Sequence, residues 1–225
     1  MLIVIFTYDR QDKLTRLLDE VKDRGHKIMV IDDGSQYPVD FYQNRPEVTW
    51  WREYSENGGK QEFYKKWACA IDQFLEQTDE EYMLTLADDV HDINMELIEK
   101  LTKQKWENSL FAVNVVNDGR DHCWGMFRTG QDAIKIDETW FNEVGFVDCG
   151  FLSNRYTMEK IDIDPIPESW FDRPDKSSGV GHQLTKKMRA LKVKMMNPLP
   201  SLCTHGDHES KMHGDHRKDT PLKSI

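Results

Sequence analysis

The chain has 225 residues, 38% of them hydrophobic and 31% charged, with a formal net charge of -10. That size supports one substantial domain with its own core. No apolar run approaches the roughly 18 residues that a membrane-spanning helix needs, and the acidic balance argues against a general nucleic-acid coat protein.

The charge is uneven. From Leu184 onward there are nine Lys/Arg against four Asp/Glu, so the last segment carries +5 and the first 183 residues -15. The opening MLIVIFTY is too short for a signal peptide and lacks a basic leader, so a cytoplasmic location is expected, the host cytoplasm for a phage-encoded chain. Four widely spaced cysteines (Cys69, Cys123, Cys149, Cys203) form no CxxC pair and are expected as free thiols.

In chain order, LIVIF (2–6) reads as a buried strand. Residues 12–25 read as a helix, with Leu14, Leu17, Leu18 and Val21 on one stripe and Gly25 as its C-cap. HKIMVIDDGS (26–35) is a second buried strand ending on Asp32, Asp33, Gly34 and Ser35. Strand, helix, strand at this spacing predicts a βαβ unit and a parallel sheet, with ligands at the carboxyl ends of its strands. Residues 48–54 predict a third strand, 55–60 (SENGGK) a loop, and 61–76 a helix. YMLTLADDV predicts a fourth strand, 91–104 a helix and 109–118 a fifth strand. The aromatic stretch 120–180 has no clean period and reads as short strands and loops lining half of a pocket. One more helix and strand follow, then a polar, His-rich end.

The fourth strand stops on two adjacent carboxylates, Asp88 and Asp89. Like charges side by side require a positive partner, and a divalent cation is one solution. The bland alternative is that both acids face the N-terminus of the next helix.

Four motifs stand in order: VIFTYDR, IDDGS, NGGK and LADDV. Together they resemble a family 2-type GT-A glycosyltransferase of the small phage or bacterial kind. The likeness covers about residues 1–95 well and the remainder weakly. It implies an α/β, Rossmann-like GT-A fold: a mainly parallel central sheet flanked by helices, in one domain spanning 1–225. Within it, 1–95 would be the nucleotide-sugar-binding half, 96–204 the acceptor half, and 205–225 a His-rich basic C-terminal segment.

The resemblance also implies a metal-dependent enzyme. Mn2+ or Mg2+ would neutralise the departing diphosphate of a nucleotide-sugar donor, a UDP-sugar in the first instance. Asp89 and His205 would bind the ion, with Asp88 orienting the ribose or a metal-bound water. Thr7, Tyr8, Asp9 and Arg10 would lie against the nucleotide, and Asp32 or Asp33 would accept from the base. Asn57, Gly58 and Lys60 would approach the phosphates, and Lys211 and His213 would fold over them.

Two departures from the family pattern matter. The leading acid of the Asp-x-Asp motif is Ala87, and Val180 and Gly181 stand where a catalytic Glu-Asp pair would open the last helix. His182 and Asp148 are the remaining candidates for the base, and a configuration-retaining reaction would need neither. Trp124, Trp140, Trp170 and Phe171 offer stacking faces for a sugar or a nucleobase. A resemblance to phage-type enzymes implies hydroxymethylated pyrimidine in DNA as the acceptor, with a saccharide as the alternative, and no membrane partner is expected. A nucleotidyltransferase would carry a Gly-rich loop after strand one, which TYDRQDK lacks. A binding module that has lost catalysis stays open.

Overall fold

The computed structural model describes residues 1–104, 109–116, 133–148, 150–171 and 178–205. Eleven strands and seven helices alternate along this described chain. The first half holds β1 (Leu2–Thr7), α1 (Gln11–Val21), β2 (Lys27–Asp32), α2 (Val39–Gln43), β3 (Trp50–Glu53), α3 (Gly59–Gln77), β4 (Tyr82–Ala87), β5 (Val90–His91) and α4 (Met95–Thr102). The second half holds β6 (Phe111–Asn114), β7 (Ile134–Ile136), β8 (Thr139–Val144), β9 (Phe151–Asn154), α5 (Arg155–Met158), α6 (Glu168–Phe171), α7 (Val180–Ala190), β10 (Lys194–Leu199) and β11 (Thr204–His205).

Nine strands form one sheet in the order β3-β2-β1-β4-β9-β6-β10-β8-β7. The first four are mutually parallel, and only β9 and β8 run against the rest. β1 lies between β2 and β4 inside the sheet, and all six of its residues are buried, as a strand covered on both faces requires. Leu14, Leu17, Leu18 and Val21 of α1 join Ile98 and Leu101 of α4 on one face of the sheet. Trp67, Ala70 and Phe74 of α3 join Val180, Leu184 and Met188 of α7 on the other. Trp67 stacks between Phe6 and Phe151, at ring separations of 5.2 and 5.5 Å, and so ties α3 to both halves of the sheet. Helix α1 has no side-chain cap. Its four fully buried side chains, each contributing about 1.5–3 kcal/mol, hold it in place instead.

Several predicted boundaries shift. Helix α1 stops at Val21 instead of Gly25, because the chain turns through left-handed backbone at Asp23 (φ 62°) and Gly25 (φ 72°). β2 ends at Asp32, before the turn. α3 starts two residues early, at Gly59. The predicted helix at 91–104 begins only at Met95, where the Asn94 side chain accepts from the Leu97 N–H at 3.0 Å. His91, the first residue of that span, belongs instead to β5, which pairs antiparallel with β11. Sequence separation hid that pairing, since it joins residue 90 to residue 205.

Candidate functional site

β1, β2 and β4 end side by side: Thr7 pairs with Asp32, and Phe6 with Ala87. The ladder continues one residue further, with Asp33 N–H donating to Thr7 O (3.0 Å) and Asp88 N–H to Phe6 O (3.1 Å). This continuation brings VIFTYDR, IDDGS and LADDV together at one sheet edge.

The positive partner of the two aspartates is Arg10. Its Nη1 lies 2.9 Å from Asp88 Oδ1 and 2.9 Å from Asp89 Oδ2, and the three side chains are 13%, 4% and 14% exposed. The other Asp88 oxygen accepts from Thr7 Oγ1 (2.9 Å) and the Tyr8 N–H (3.3 Å). A relay feeds this bond. Arg10 N–H donates to the Tyr37 hydroxyl (2.8 Å), which donates to Thr7 Oγ1 (2.9 Å), which donates to Asp88. Such chains polarise one another and rigidify what they join. Burial raises the Asp88 pKa above the usual carboxylate value, and the charge of Asp89 adds to this against the opposing pull of Arg10.

Asp89 faces two ways. While Oδ2 meets Arg10, Oδ1 points at His205 Nε2, 3.5 Å away. The β5–β11 pairing sets His205 opposite Val90, next to Asp89. Asp89 Oδ1 and His205 Nδ1 are both buried with no hydrogen-bond partner. Two ligands about 2.1 Å from one ion stand about 3.0–3.5 Å apart for ordinary coordination angles. The Asp89–His205 separation falls at the upper end of that range. Among the described residues no group of three His, Cys, Asp or Glu side chains could hold a metal. A cation here would take two protein ligands and draw the rest from phosphate and water, the usual arrangement for Mg2+.

The IDDGS turn is spent differently from the expectation. Both Asp32 oxygens are engaged, Oδ1 by the Ser35 N–H (3.0 Å) and hydroxyl (2.5 Å), Oδ2 by the Tyr42 hydroxyl (2.6 Å). Asp32, 1% exposed, holds the turn with both oxygens. Asp33 Oδ1 accepts from Gly58 N–H (2.9 Å) and pairs with Lys66 Nζ (2.7 Å), itself 1% exposed. Asp33 thereby ties the NGGK loop to β2, and Asn57 Oδ1 steadies that loop by accepting from Gly59 N–H (2.6 Å). Gly34 is obligatory, because a Cβ on it would sit 2.5 Å from the Glu56 carbonyl carbon. Its φ of 79° also disfavours any other residue. Asp9, also at positive φ (54°), donates its N–H to Ser35 Oγ (2.7 Å) and keeps its side chain exposed. Lys60 lies half-buried in the first turn of α3.

Asp148 and His182 belong to the second half. Thr185 of α7 both donates to and accepts from the Val147 backbone (3.1 and 3.0 Å), and Asn114 of β6 accepts from Asp148 N–H (2.9 Å). These bonds pin the 147–148 segment just before β9, whose first residue, Phe151, bonds Thr85 near the carboxyl end of β4. Both candidate bases are exposed, and the His182 ring lies tilted on Trp170 at 5.3 Å. Trp140 is 46% exposed. Lys211, His213 and Trp124 lie outside the described residues.

Tyr37 and Tyr42, which carry hydrogen bonds of the site, and Lys66, which supplies its buried ion pair with Asp33, were missed from sequence. Only their place in or beside the loops that follow β2 and β3 could have flagged them.

A mostly parallel sheet flanked by helices, with paired carboxylates closing β4, is a GT-A glycosyltransferase-like fold. Solved structures agree. One is the mannosyltransferase PcManGT from Pyrobaculum calidifontis, in complex with GDP-Man and Mn2+, similar at 14% identity and a TM-score of 0.56 over 94% of this chain. Another is a mycobacterial protein, at 11% identity and a TM-score of 0.55, covering 92% of this chain and 68% of the other. The chain spans 58% of the length of the mannosyltransferase. No protein-family model matches the sequence, and no curated protein does.

Proposed function

We propose that the chain is a metal-dependent glycosyltransferase, moving a sugar from a nucleotide-sugar donor, a UDP-sugar in the first instance, to a hydroxyl acceptor. The observation that carries this reading is Asp89 Oδ1 facing His205 Nε2 at 3.5 Å, beside an Arg10-bridged Asp88, at the carboxyl edge of a GT-A sheet. Asp89 and His205 would hold Mn2+ or Mg2+, the ion that PcManGT was solved with being Mn2+. When bound, such an ion neutralises the charge that develops on a departing diphosphate. Asp88, held by Arg10 and Thr7, keeps the edge rigid. Thr7, Tyr8 and Asp9 form the nucleotide side, while Asn57, Gly58 and Lys60 form the phosphate side. Asp148 or His182 would take the proton of the acceptor hydroxyl.

The acceptor is hydroxymethylated pyrimidine in DNA or a saccharide. The net charge of -10 favours the saccharide. No helix among the described residues is long and apolar enough to cross a membrane. A second reading, a nucleotide-sugar-binding module without catalysis, is favoured by Ala87 in the motif and by the lack of an acid in the first turn of α7.

Nucleotide release from UDP-glucose and from GDP-mannose, each with Mn2+ and with EDTA, separates these two readings. Release that needs the metal supports the transferase, and binding without release supports the module. Mass spectrometry of hydroxymethylcytosine DNA and of oligosaccharides after incubation with the donors then identifies the acceptor by its added sugar.

A further inference from the structure

The geometry points to Arg10 as the residue that makes capture of the cation conditional on the donor's diphosphate. This inference rests on the nucleotide-sugar reading above and assigns a means of control to the same site.

Two carboxylates alone would offer a divalent ion two negative charges. Arg10 withdraws one of them, with its Nη1 at 2.9 Å from an oxygen of each aspartate. A single net negative charge remains, and the imidazole of His205, which is neutral when it ligates, adds none. The oxygen left facing His205 belongs to a carboxylate whose other oxygen is already bonded to a guanidinium. A bare ion entering there meets two protein ligands and a fixed positive charge close by. Hard cations give up hydration water only for enough anionic oxygen, so the ion alone should be held weakly.

A diphosphate brings further negative charge, which offsets the repulsion between Arg10 and the ion while supplying oxygen ligands. Arg10 is not readily moved aside. Its backbone N–H is bonded to Tyr37, whose relay through Thr7 ends on the same Asp88 that the guanidinium holds. Nor does the control fade with pH, since arginine stays protonated in proteins.

The test measures Mn2+ retained with the full chain on ultrafiltration, with and without UDP, for wild type, Arg10→Met and the charge-conserving pair Arg10→Met/Asp88→Asn. UDP should tighten Mn2+ retention by wild type about tenfold or more, and Mn2+ should tighten UDP by the same factor. Arg10→Met should bind Mn2+ alone about tenfold more tightly and lose a matching part of the UDP-dependent gain. The double variant, which restores the local net charge and removes the unpaired buried carboxylate, should return Mn2+ binding toward wild type. It also keeps the test alive if Arg10→Met fails to fold. Coupling to UDP that is undiminished in Arg10→Met, or a double variant that binds Mn2+ alone far more tightly than wild type, overturns the role of Arg10 and leaves the transferase reading standing. A wild-type chain that retains no Mn2+ even with UDP or GDP overturns both.

Discussion

Replacing Lys66 by methionine tests how the NGGK loop is held. Lys66 Nζ lies 2.7 Å from Asp33 Oδ1, with the side chains 1% and 9% exposed, and the ammonium sits 4.8 Å from the centre of the Tyr54 ring. Methionine keeps the apolar stem and removes the charge. Asp33 is then left buried with only the Gly58 N–H on that oxygen. Breaking one side of a buried ion pair costs about 3–5 kcal/mol, because the remaining charge has lost its partner and cannot regain water. For a chain of this size each kcal/mol lowers the melting temperature by about 2–4 °C, so the expected drop is on the order of 10 °C. Removing both charges, as Lys66→Met/Asp33→Asn, should recover most of the loss, since the amide can still accept from Gly58. Urea denaturation of wild type, both single variants and the double variant gives the cycle. A loss below about 1 kcal/mol in Lys66→Met, or a double variant no more stable than that single one, refutes the claim that this pair anchors the loop.

Three further outcomes follow from the same structure. Gly34→Ala should cost at least about 1–2 kcal/mol in urea denaturation, because the added methyl meets the Glu56 carbonyl carbon at 2.5 Å on left-handed backbone. Burial, then Glu20 and Asp89, push the Cys203 thiol up to about 12 from 9.0. Because the unfolded thiol ionises first, stability is fully present below pH 9 and falls as pH rises toward 12. The loss approaches about 4 kcal/mol, and Cys203→Ala should flatten that alkaline slope in equilibrium unfolding. His205→Ala should weaken nucleotide-supported Mn2+ retention by at least about tenfold while leaving the metal-free melting temperature within about 2 °C, since His205 Nδ1 has no hydrogen-bond partner and its Nε2 only the 3.5 Å approach to Asp89.

How much of this was legible in sequence depends on how far apart the interacting residues lie. β1, α1 and β2 showed through because a continuous apolar run and a four-residue helical stripe are local signals, and the βαβ rule then carried their carboxyl ends to one edge. The three motifs of that edge were legible for the same reason, each being a strand end. The partner of Asp88 and Asp89 was not, because Arg10 is 78 and 79 residues away and an arginine after a strand has no periodicity to betray it. Asp32 carries a signal that reads two ways. Asp-Gly-Ser is a turn signal as well as a family motif, and the turn claimed both carboxylate oxygens through Ser35 and Tyr42. His205 was chosen because it follows an apolar strand-like run, and the two-residue pairing with β5 is what gives that choice a physical basis. A histidine in a loose tail would pay the entropy of ordering each time an ion bound. One registered against Val90 has paid it on folding, and the oxygen of Asp89 already faces it.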